Sequence, residues 1–352
     1  MHKIIYREEN EEDFFSYWND LISKVKVSPR YTKNFINYSN SLTDVSDKSF
    51  VLINDNKVAA IAFVPIENTE YGKCISIRNE FVQAPISLNK KIDMIVFKHI
   101  DQIAIENDVS KISYEIDPLI SFKEINYNRL LIHNYIQTNS TNYIMNFKLS
   151  EDEFIKSLNQ SIRHTITKYK SESKFEVCFF VKDNINKAVF QQYEEAHILS
   201  AGKKTRPQKS FDIQYQMIID GEGMLCVLKY ENRKIGFLFV SFYQKNICLF
   251  SIANIPEHES KVPIYKILMY EVYKLMHGKG YEYALMGSPA SDFYVQGFQD
   301  YYDQKKINIS KYKQGYRPHM VEHLRGVKYL KEKILLNDIK AFETQLLRNL
   351  KP

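Results

Sequence analysis

Glycine and proline are scarce in this sequence, with 11 Gly and 10 Pro among 352 residues. Linkers are typically rich in these two residue types, so long linkers between structured parts are not expected. Hydrophobic residues nevertheless make up 44% of the chain, and the chain contains 22 Phe and 25 Tyr. That composition can fill complete cores and excludes disorder over most of the length. For a chain of this size, two domains are the expected number.

Cysteine is also scarce, and it follows no metal-binding or disulfide pattern. The four cysteines are far apart, lie in apolar runs typical of strands, and form no CxxC pair; they are Cys74, Cys178, Cys226 and Cys248. We interpret them as reduced, buried thiols, and we predict no metal site.

Long apolar runs are missing as well. No segment approaches the roughly 18 consecutive apolar residues that mark a transmembrane helix. The opening segment, MHKIIYREENEED, lacks the apolar core of a secretory signal. The sequence therefore predicts a cytoplasmic protein without a transmembrane segment.

The charge of the chain narrows the choice of ligand only slightly. A formal charge of +6 and a pI near 8.8 are compatible with phosphate-bearing ligands such as CoA or tRNA, without requiring one. Lys and Arg are not clustered as densely as in a dedicated nucleic-acid module. The sequence also contains no P-loop, dinucleotide fingerprint, zinc motif or nucleophile elbow, which excludes the functions that depend on them.

An internal repeat is the most informative feature of the sequence. Residues 50–67 form an apolar run, a polar turn and a second apolar run, and residues 224–241 repeat this pattern. Both segments predict β-hairpins. Each is followed by a strand, an amphipathic helix and another strand; these segments are 74–87, 90–108 and 111–117 in the first half, and 247–257, 263–280 and 281–287 in the second. Two equivalent units explain this better than one large sheet.

The order of these elements resembles the centre of the GNAT acyltransferase fold, in which two parallel strands splay apart to seat the acyl donor. We predict an α+β or α/β protein with two tandem GNAT-type domains, each a mixed, mostly antiparallel sheet flanked by helices, plus a C-terminal helix. An unrelated pair of α/β domains with the same order is the alternative. The predicted boundaries are 1–149 for the N-terminal domain, 150–325 for the C-terminal domain and 326–352 for the amphipathic terminal helix.

The segment that opens the second half also has a readable pattern. Residues 150–172 predict a helix in which Ser150 is the N-cap and Glu153 completes a capping box. A strand at 175–181 and a second helix at 185–202 follow. The terminal helix is interpreted as structural packing, with a partner-binding role as the alternative.

Three stretches resemble the FemAB-like, or peptidoglycan-biosynthesis GNAT-like, acyltransferases: LNQSIRHTITKYKSESKFEV (158–177), the strand–loop–helix–strand segment 251–291, and ISKYKQGYRPHMVE (309–322). The resemblance implies transfer of an acyl or aminoacyl group to an amine, and cell-envelope biogenesis as the setting. The chain departs from the group where 312–316 continues with Arg317 and Pro318, and where Ala284–Gly287 replace an expected Asp. It also lacks the long coiled-coil insertion of some tRNA-dependent members.

The resemblance also points to site residues. It places Lys313 and Tyr316 on a closing strand that borders the donor or acceptor pocket, where the amine of Lys313 can stabilise a developing oxyanion or a phosphate; a surface lysine is the alternative. Arg163 matches the helix arginine of the group and is a candidate for clamping a phosphate or carboxylate, against a solvated helix face.

Two further candidates come from loops. Arg206 lies in the basic stretch GKKTRP with Lys203 and Lys204, which is a candidate phosphate or nucleotide patch or simply a solvated loop. Asp292 follows Ser291 after the last strand of the repeat, a position from which it can orient or deprotonate the acceptor amine. Helix capping is the alternative for Asp292.

The donor stays open at this level. The glycine-rich loop that grips the phosphates of CoA in GNAT enzymes is expected between residues 254 and 263, where this chain reads NIPEHESKVP and has no glycine. Its absence favours aminoacyl-tRNA, whereas the missing coiled coil favours acyl-CoA.

The sequence therefore predicts an N-acyltransferase that uses acyl-CoA or aminoacyl-tRNA and acts on a sugar nucleotide, surface glycan or peptidoglycan precursor. In this interpretation the N-terminal domain is degenerate and shapes the acceptor site. The alternatives are a catalytically inactive tandem GNAT protein that binds tRNA or a glycan, and a structural protein that acts through its C-terminal helix.

Overall fold

The computed structural model describes residues 2–120, 127–287, 298 and 304–349. The chain divides into two compact units. Unit 1 comprises Met1–Asn142, Ala290–Ile307 and Val321–Pro352, and unit 2 comprises Tyr143–Pro289 and Asn308–Met320. The division of roles between the predicted domains stays a prediction.

The regular elements run as follows in chain order. The first part contains β1 (His2–Tyr6), α1 (Glu11–Lys24), a 3-10 turn at Pro29–Tyr31, α2 (Lys33–Asn40), β2 (Val45–Asp47), β3 (Phe50–Asn54), β4 (Lys57–Ala62), β5 (Pro65–Thr69), β6 (Gly72–Ile75), β7 (Val82–Gln83), β8 (Ile86–Ser87), α3 (Lys90–Glu106), β9 (Val109–Glu115), a 3-10 turn at Arg129–His133 and β10 (Ile136–Gln137).

The second part contains β11 (Ser140–Asn146), α4 (Glu151–Ser157), α5 (Gln160–Lys170), β12 (Phe175–Phe180), α6 (Lys187–Ala201), α7 (Gln208–Ile219), β13 (Gly223–Tyr230), β14 (Arg233–Tyr243), β15 (Asn246–Asn254), α8 (Pro256–Glu259), α9 (Ile264–Gly278), β16 (Tyr283–Gly287) and α10 (Gln304–Gln314). The chain continues through β17 (His319–His323), β18 (Arg325–Tyr329) and α11 (Glu332–Asn349). None of the described helices is both long enough and apolar enough to cross a membrane.

Both predicted hairpins are present, and they use the same turn. The turn between β3 and β4 consists of Asp55 and Asn56, with φ of 49° and 61°, and the turn between β13 and β14 consists of Glu231 and Asn232, with φ of 48° and 65°. Left-handed backbone at both central residues is typical of a type I′ turn, whose twist matches that of the paired strands. Asn and Asp tolerate this backbone conformation better than other non-glycine residues.

Unit 2 is built on one sheet with the order β12-β13-β14-β15-β16-β11-β17. Strands β12 to β15 are antiparallel neighbours, whereas β15 and β16 run parallel. Helix α9 packs on β13 and β14, and it approaches so closely that a Cβ atom on Gly236 would clash with Cγ2 of Ile264. Helices α6 and α7 also cover this sheet. The mixed sheet flanked by helices is confirmed.

Unit 1 repeats the strand order of unit 2, but its sheet is divided into two, so that one strand of unit 2 corresponds to two shorter strands in unit 1. Its two sheets have the orders β1-β3-β4-β8 and β10-β18-β9-β6-β5-β2. Strands β4 and β5 together occupy the place of β14, and β6 and β8 together occupy the place of β15. Strand β6 runs parallel to β9, as β15 does to β16. The duplication that the sequence predicts is therefore present in the topology.

The predicted helix over 150–172 is two helices in the structure. The capping box of Ser150 and Glu153 is confirmed at the start of α4. The break falls at Leu158 and Asn159, because Leu158 is buried in an extended conformation and the side chain of Asn159 caps α5. The backbone N–H of Asn159 also donates to the carbonyl of Gly315 at 2.9 Å, which fixes the start of α5.

The predicted closing strand over 309–322 is wrong for its first part, because Gln304–Gln314 is helical. A strand begins only at His319, after Gly315 and Pro318 have ended the helix. The terminal helix is confirmed, but it begins at Glu332 rather than at 326. Residues Arg325–Tyr329 instead pair antiparallel with β9.

Candidate functional site

The parallel strands β15 and β16 of unit 2 part soon after they meet. They pair only from Asn246 to Cys248, where Cys248 lies opposite Leu285. Strand β15 then continues to Asn254 beside β14 alone, with one extra residue, Phe250, in its register. Side chains from Cys248 to Ile252 are only half-buried, although they lie in a central strand. This opening is the first part of the candidate site.

The amine of Lys313 lies at the point where the two strands diverge. A Cβ atom on Gly287, which ends β16 with a φ of +87°, would stand 3.1 Å from Lys313 Nζ. Lys313 occupies the last turn of α10, and its side chain is half-buried. The amine of this side chain makes no hydrogen bond or ion pair with any residue that the structure describes. Burial lowers the pKa of Lys313 below its usual 10.5, and the nearby Cys248 offsets part of this effect.

A pair of tyrosines, Tyr312 and Tyr316, flanks Lys313 in the sequence. The hydroxyl groups of Tyr312 and Tyr316 are 2.5 Å apart, and Tyr316 is buried. The ring of Tyr312 lies 6.4 Å from that of Tyr265, at the start of α9. Burial raises the pKa of all three hydroxyls, so they stay neutral and act as hydrogen-bonding groups near neutral pH.

Asn254 closes the far end of β15. Its Oδ1 accepts hydrogen bonds from Ser200 Oγ at 2.7 Å and from Tyr265 OH at 2.8 Å. Its Nδ2 is buried and has no hydrogen-bond partner among the described residues. A buried amide N–H that lacks an acceptor is costly, which makes this group a candidate to bind a carbonyl oxygen of a ligand.

The comparisons with known proteins bear on this arrangement. No protein-family model and no curated protein sequence matches the chain. Solved structures do match it. FemX shares 12% identity across 92% of this chain and 96% of that chain, with a TM-score of 0.59. L-PGS from Bacillus licheniformis shares 12% identity across 94% and 95%, with a TM-score of 0.58.

A third matching structure is described as a tandem GNAT protein. It is a tandem GNAT protein from the clavulanic acid biosynthesis pathway, which shares 8% identity across 94% of this chain and 98% of that chain, with a TM-score of 0.52. This chain has a FemAB-like tandem GNAT fold. At such low identities the likeness establishes the fold alone.

The glycine-free segment before α9 uses its backbone N–H groups in hydrogen bonds to its own carbonyl groups. Residues Pro256–Glu259 form the short helix α8. The N–H groups of Lys261 and Val262 donate to the carbonyl of His258, and that of Ile264 donates to Val262. Few N–H groups are therefore left to hold a pyrophosphate in this segment.

The equivalent opening in unit 1 is closed. After β6 ends at Ile75, the chain returns to β9 in β7, where Val82 and Gln83 pair parallel with the next residues of that strand. Glu115, at the end of β9, is buried; its carboxylate pairs with Arg30 and lies 3.0 Å from Nε2 of His323. Burial alone would raise the pKa of Glu115, but the charge of Arg30 and the contact with His323 outweigh it and lower the pKa to about 2. Unit 1 of this tandem GNAT fold therefore fills its opening with its own side chains.

Two of the predicted binding residues are engaged within unit 2. Arg163 is exposed on α5, and its guanidinium donates to the carbonyls of Lys156 and Leu158 at 3.0 and 2.9 Å, near the end of α4. Arg206 is buried rather than displayed in a basic loop. Its guanidinium lies 4.0 Å from the ring centre of Phe211 and donates to Tyr193 and Gln214. These contacts are structural, and a ligand-binding role for either residue stays a prediction.

The remaining predicted residues fall into two groups. Asp292 and Ser291 lie outside the described residues. Lys313 and Tyr316 lie in unit 2, and Lys313 is on a helix instead of the predicted strand. Their roles at the site stay predictions. Sequence reasoning missed Asn254, Tyr265 and Cys248; a polar residue at the end of the apolar strand ICLFSIAN was the available signal for Asn254.

Proposed function

We propose that this protein is an N-acyltransferase, and that it transfers an acyl or aminoacyl group to an amino group of a cell-envelope precursor at the opening between β15 and β16. The observation that carries the proposal is the half-buried amine of Lys313 at that opening, without an ion-pair partner among the described residues. A buried cation that no carboxylate neutralises is costly, and the negative charge of a ligand or transition state would offset that cost.

The reaction assigns a role to this amine. The acceptor nitrogen attacks the carbonyl carbon of the donor thioester or ester, and the carbonyl oxygen gains negative charge in the tetrahedral intermediate. The ammonium group of Lys313 stabilises that oxygen. When the intermediate collapses, the sulfur or oxygen of the donor leaves and the acceptor nitrogen loses a proton. Asp292 remains the candidate for orienting or deprotonating the acceptor amine.

The donor is acyl-CoA or aminoacyl-tRNA, and one observation favours aminoacyl-tRNA. The segment before α9, where a CoA-dependent GNAT protein holds the pyrophosphate, has no glycine and donates its N–H groups to its own carbonyls. The net charge of +6 accommodates either donor. The buried Nδ2 of Asn254 at the end of β15 is available to bind a carbonyl oxygen of the donor.

The acceptor class rests on the resemblance of 158–177, 251–291 and 309–322 to FemAB-like enzymes. We assign the transfer to unit 2 because the side chains along its opening, from Cys248 to Ile252, are only half-buried in the described part of the chain. In unit 1, β7 and the pair of Arg30 and Glu115 fill the equivalent opening. A sugar nucleotide, surface glycan or peptidoglycan precursor is the expected acceptor.

Ligand binding and turnover together test the proposal. The melting temperature of the protein would be measured with acetyl-CoA, with aminoacyl-tRNA and with UDP-linked amino sugars, because a ligand that binds only the folded state raises it. Transfer of a labelled acyl or aminoacyl group would then be compared in the wild type, Lys313→Ala, Lys313→Arg and the control Lys311→Ala, which changes an exposed lysine two residues away.

We expect Lys313→Ala to lower kcat by about 100-fold or more, since an oxyanion-stabilising group contributes on this scale. Lys313→Arg should retain part of the activity, and Lys311→Ala all of it. Full activity in Lys313→Ala would contradict the assigned role. Binding of tRNA or a glycan without any turnover would instead support the inactive binding protein.

A further inference from the structure

The C-terminal helix α11 is fixed to unit 1 through one of its faces. Ile334 and Asp338 are buried on that face. The carboxylate of Asp338 accepts hydrogen bonds from Tyr329 OH at 2.6 Å and from Lys111 Nζ at 3.3 Å, which ties the helix to β18 and β9. These buried contacts set the rotation of the helix about its own axis, and therefore which residues face away from unit 1.

The opposite face carries an apolar stripe. Leu336, Ile339, Leu346 and Leu347 are each 42–55% exposed. Their spacing of three, ten and eleven residues from Leu336 places all four on one side of a helix with about 3.6 residues per turn. Large apolar side chains gathered on one exposed face are typical of an interaction surface.

Two opposite charges interrupt the stripe near its middle. Lys340 and Glu343 are exposed on the same side of the helix as the leucines. Neither forms an ion pair with any residue in the described part of the chain. From one end to the other, the stripe therefore reads apolar, basic, acidic, apolar.

We propose that this stripe is the contact surface of a symmetric homodimer, in which the α11 helices of two copies pack antiparallel. A twofold axis between Ala341 and Phe342 places Leu336 opposite Leu347 of the partner subunit. The same axis places Lys340 opposite Glu343 of the partner subunit, and it does so twice. A surface that meets its own copy in this way is self-complementary, as a twofold interface requires.

The charges of Lys340 and Glu343 favour the antiparallel homodimer over a parallel helix pair and over a lipid surface. A parallel pair of helices would place Lys340 against Lys340 of the partner subunit, and like charges across an interface are unfavourable. A lipid surface would have to accommodate Glu343 in the centre of the apolar stripe, whereas membrane-surface helices keep basic residues at that boundary. Two single helices bury a small area, so we expect an association in the micromolar range. This inference does not depend on the proposed function.

Charge reversal tests the pairing directly. The mass of the full chain in solution would be measured by sedimentation over a concentration series for the wild type, Lys340→Glu, Glu343→Lys and an equimolar mixture of the two variants. Lys98→Glu, an exposed charge reversal on α3 of the same unit, is the control. Thermal unfolding of each variant would check that unit 1 remains folded.

We expect each single reversal to weaken dimerisation by at least about tenfold, because it sets two like-charged pairs across the axis. The mixture should recover dimers, since every pair that it forms between unlike chains is then of opposite charge. Lys98→Glu should dimerise like the wild type. A wild type that stays monomeric into the hundred-micromolar range overturns the proposal. Reversals without effect, or a mixture that does not recover, overturn it as well.

Discussion

Lys313 Nζ lies 3.1 Å from the position that a Cβ atom would occupy on Gly287, so the smallest residue of β16 faces the amine at the opening. Gly287 is the last residue of β16, and its φ of +87° is one that other residues rarely adopt. The shape of the opening therefore depends on two residues that are far apart in sequence. Each can be changed separately.

Replacing Gly287 with alanine should harm both stability and transfer. The backbone conformation would become strained at a cost of about 1 to 3 kcal/mol, and the new methyl group would displace the amine of Lys313. Urea unfolding and steady-state kinetics measure the two effects. Gly278→Ala is the matched control, because a Cβ atom there meets no atom within 4 Å and its φ is not positive. Equal behaviour of the two variants would show that Gly287 does not shape the opening.

The depressed pKa of Lys313 predicts how stability changes with pH. Burial lowers this pKa below 10.5 in the folded state, so between the two values the unfolded chain binds one more proton than the folded chain. The free energy of unfolding should therefore rise with pH through this alkaline window. Below the folded-state pKa, the cost of burying the charge is present in full.

Lys313→Met isolates this effect. As the pH rises from neutral towards 10.5, the unfolding free energy of the wild type should increase relative to that of Lys313→Met. Any stability advantage of Lys313→Met near neutral pH should therefore shrink or reverse. Urea unfolding at several pH values measures it. The same series on Lys311→Met should run parallel to the wild type. A pH-independent difference for Lys313→Met would mean that the amine is not desolvated.

The sequence predicts the parts of the fold that depend on neighbouring residues. The turns at Asn56 and Asn232 and the capping box of Ser150 and Glu153 are local chemistry, and all of them are confirmed. The amphipathic pattern of 263–280 likewise gives α9 within a few residues of its bounds. In these segments the conformation is determined by residues of the segment itself.

The site was less accessible from the sequence, because it depends on distant contacts. The helix Gln304–Gln314 has no apolar stripe, so its pattern did not distinguish it from a strand. The approach of Lys313 to Gly287 joins parts of the chain that no local pattern relates. The basic neighbours of Arg206 predict a ligand-binding patch or a solvated loop, whereas its burial follows from contacts with Tyr193 and Phe211 on the flanking helices.

Cys248 offers a chemical test of the opening. The prediction of buried thiols holds for Cys74 and Cys226 but is wrong for Cys248 and Cys178, which are half-buried. Cys248 lies beside Lys313, whereas Cys178 lies on β12. A small maleimide should therefore modify Cys248 and Cys178 first, and mass spectrometry of the peptides would locate it. Modification should abolish transfer in the wild type and in Cys178→Ala, because an adduct on Cys248 occupies the opening.

Two controls, the variant Cys248→Ala and labelling in the presence of the donor, complete this test. Cys248→Ala should remain active after treatment with the maleimide, and a bound donor should slow the labelling of Cys248 but not that of Cys178. Equal protection of both thiols would indicate a general tightening of the protein. Inactivation of Cys248→Ala at the wild-type rate would place the sensitive group elsewhere.

Arg206 and Arg163 should differ in how much they contribute to the free energy of unfolding. Arg206→Gln removes a buried guanidinium that donates to Tyr193 and Gln214 and lies over Phe211, and we expect a loss of about 2 to 4 kcal/mol in the free energy of unfolding. Arg163→Gln removes hydrogen bonds at an exposed helix end and should cost less than about 1 kcal/mol. Urea unfolding provides the comparison.

His197 supplies a second measurement at Arg206. Burial, followed by the positive charge of Arg206, lowers the pKa of His197 to about 4. Removing that charge in Arg206→Gln should raise the pKa of His197 towards its usual value without reaching it, because burial remains; NMR titration of the imidazole would follow the change. KM for the donor should stay at the wild-type value in this variant if Arg206 acts only within unit 2. A large rise in KM with an unchanged unfolding free energy would instead make Arg206 a binding residue, as its basic neighbours in the sequence suggested.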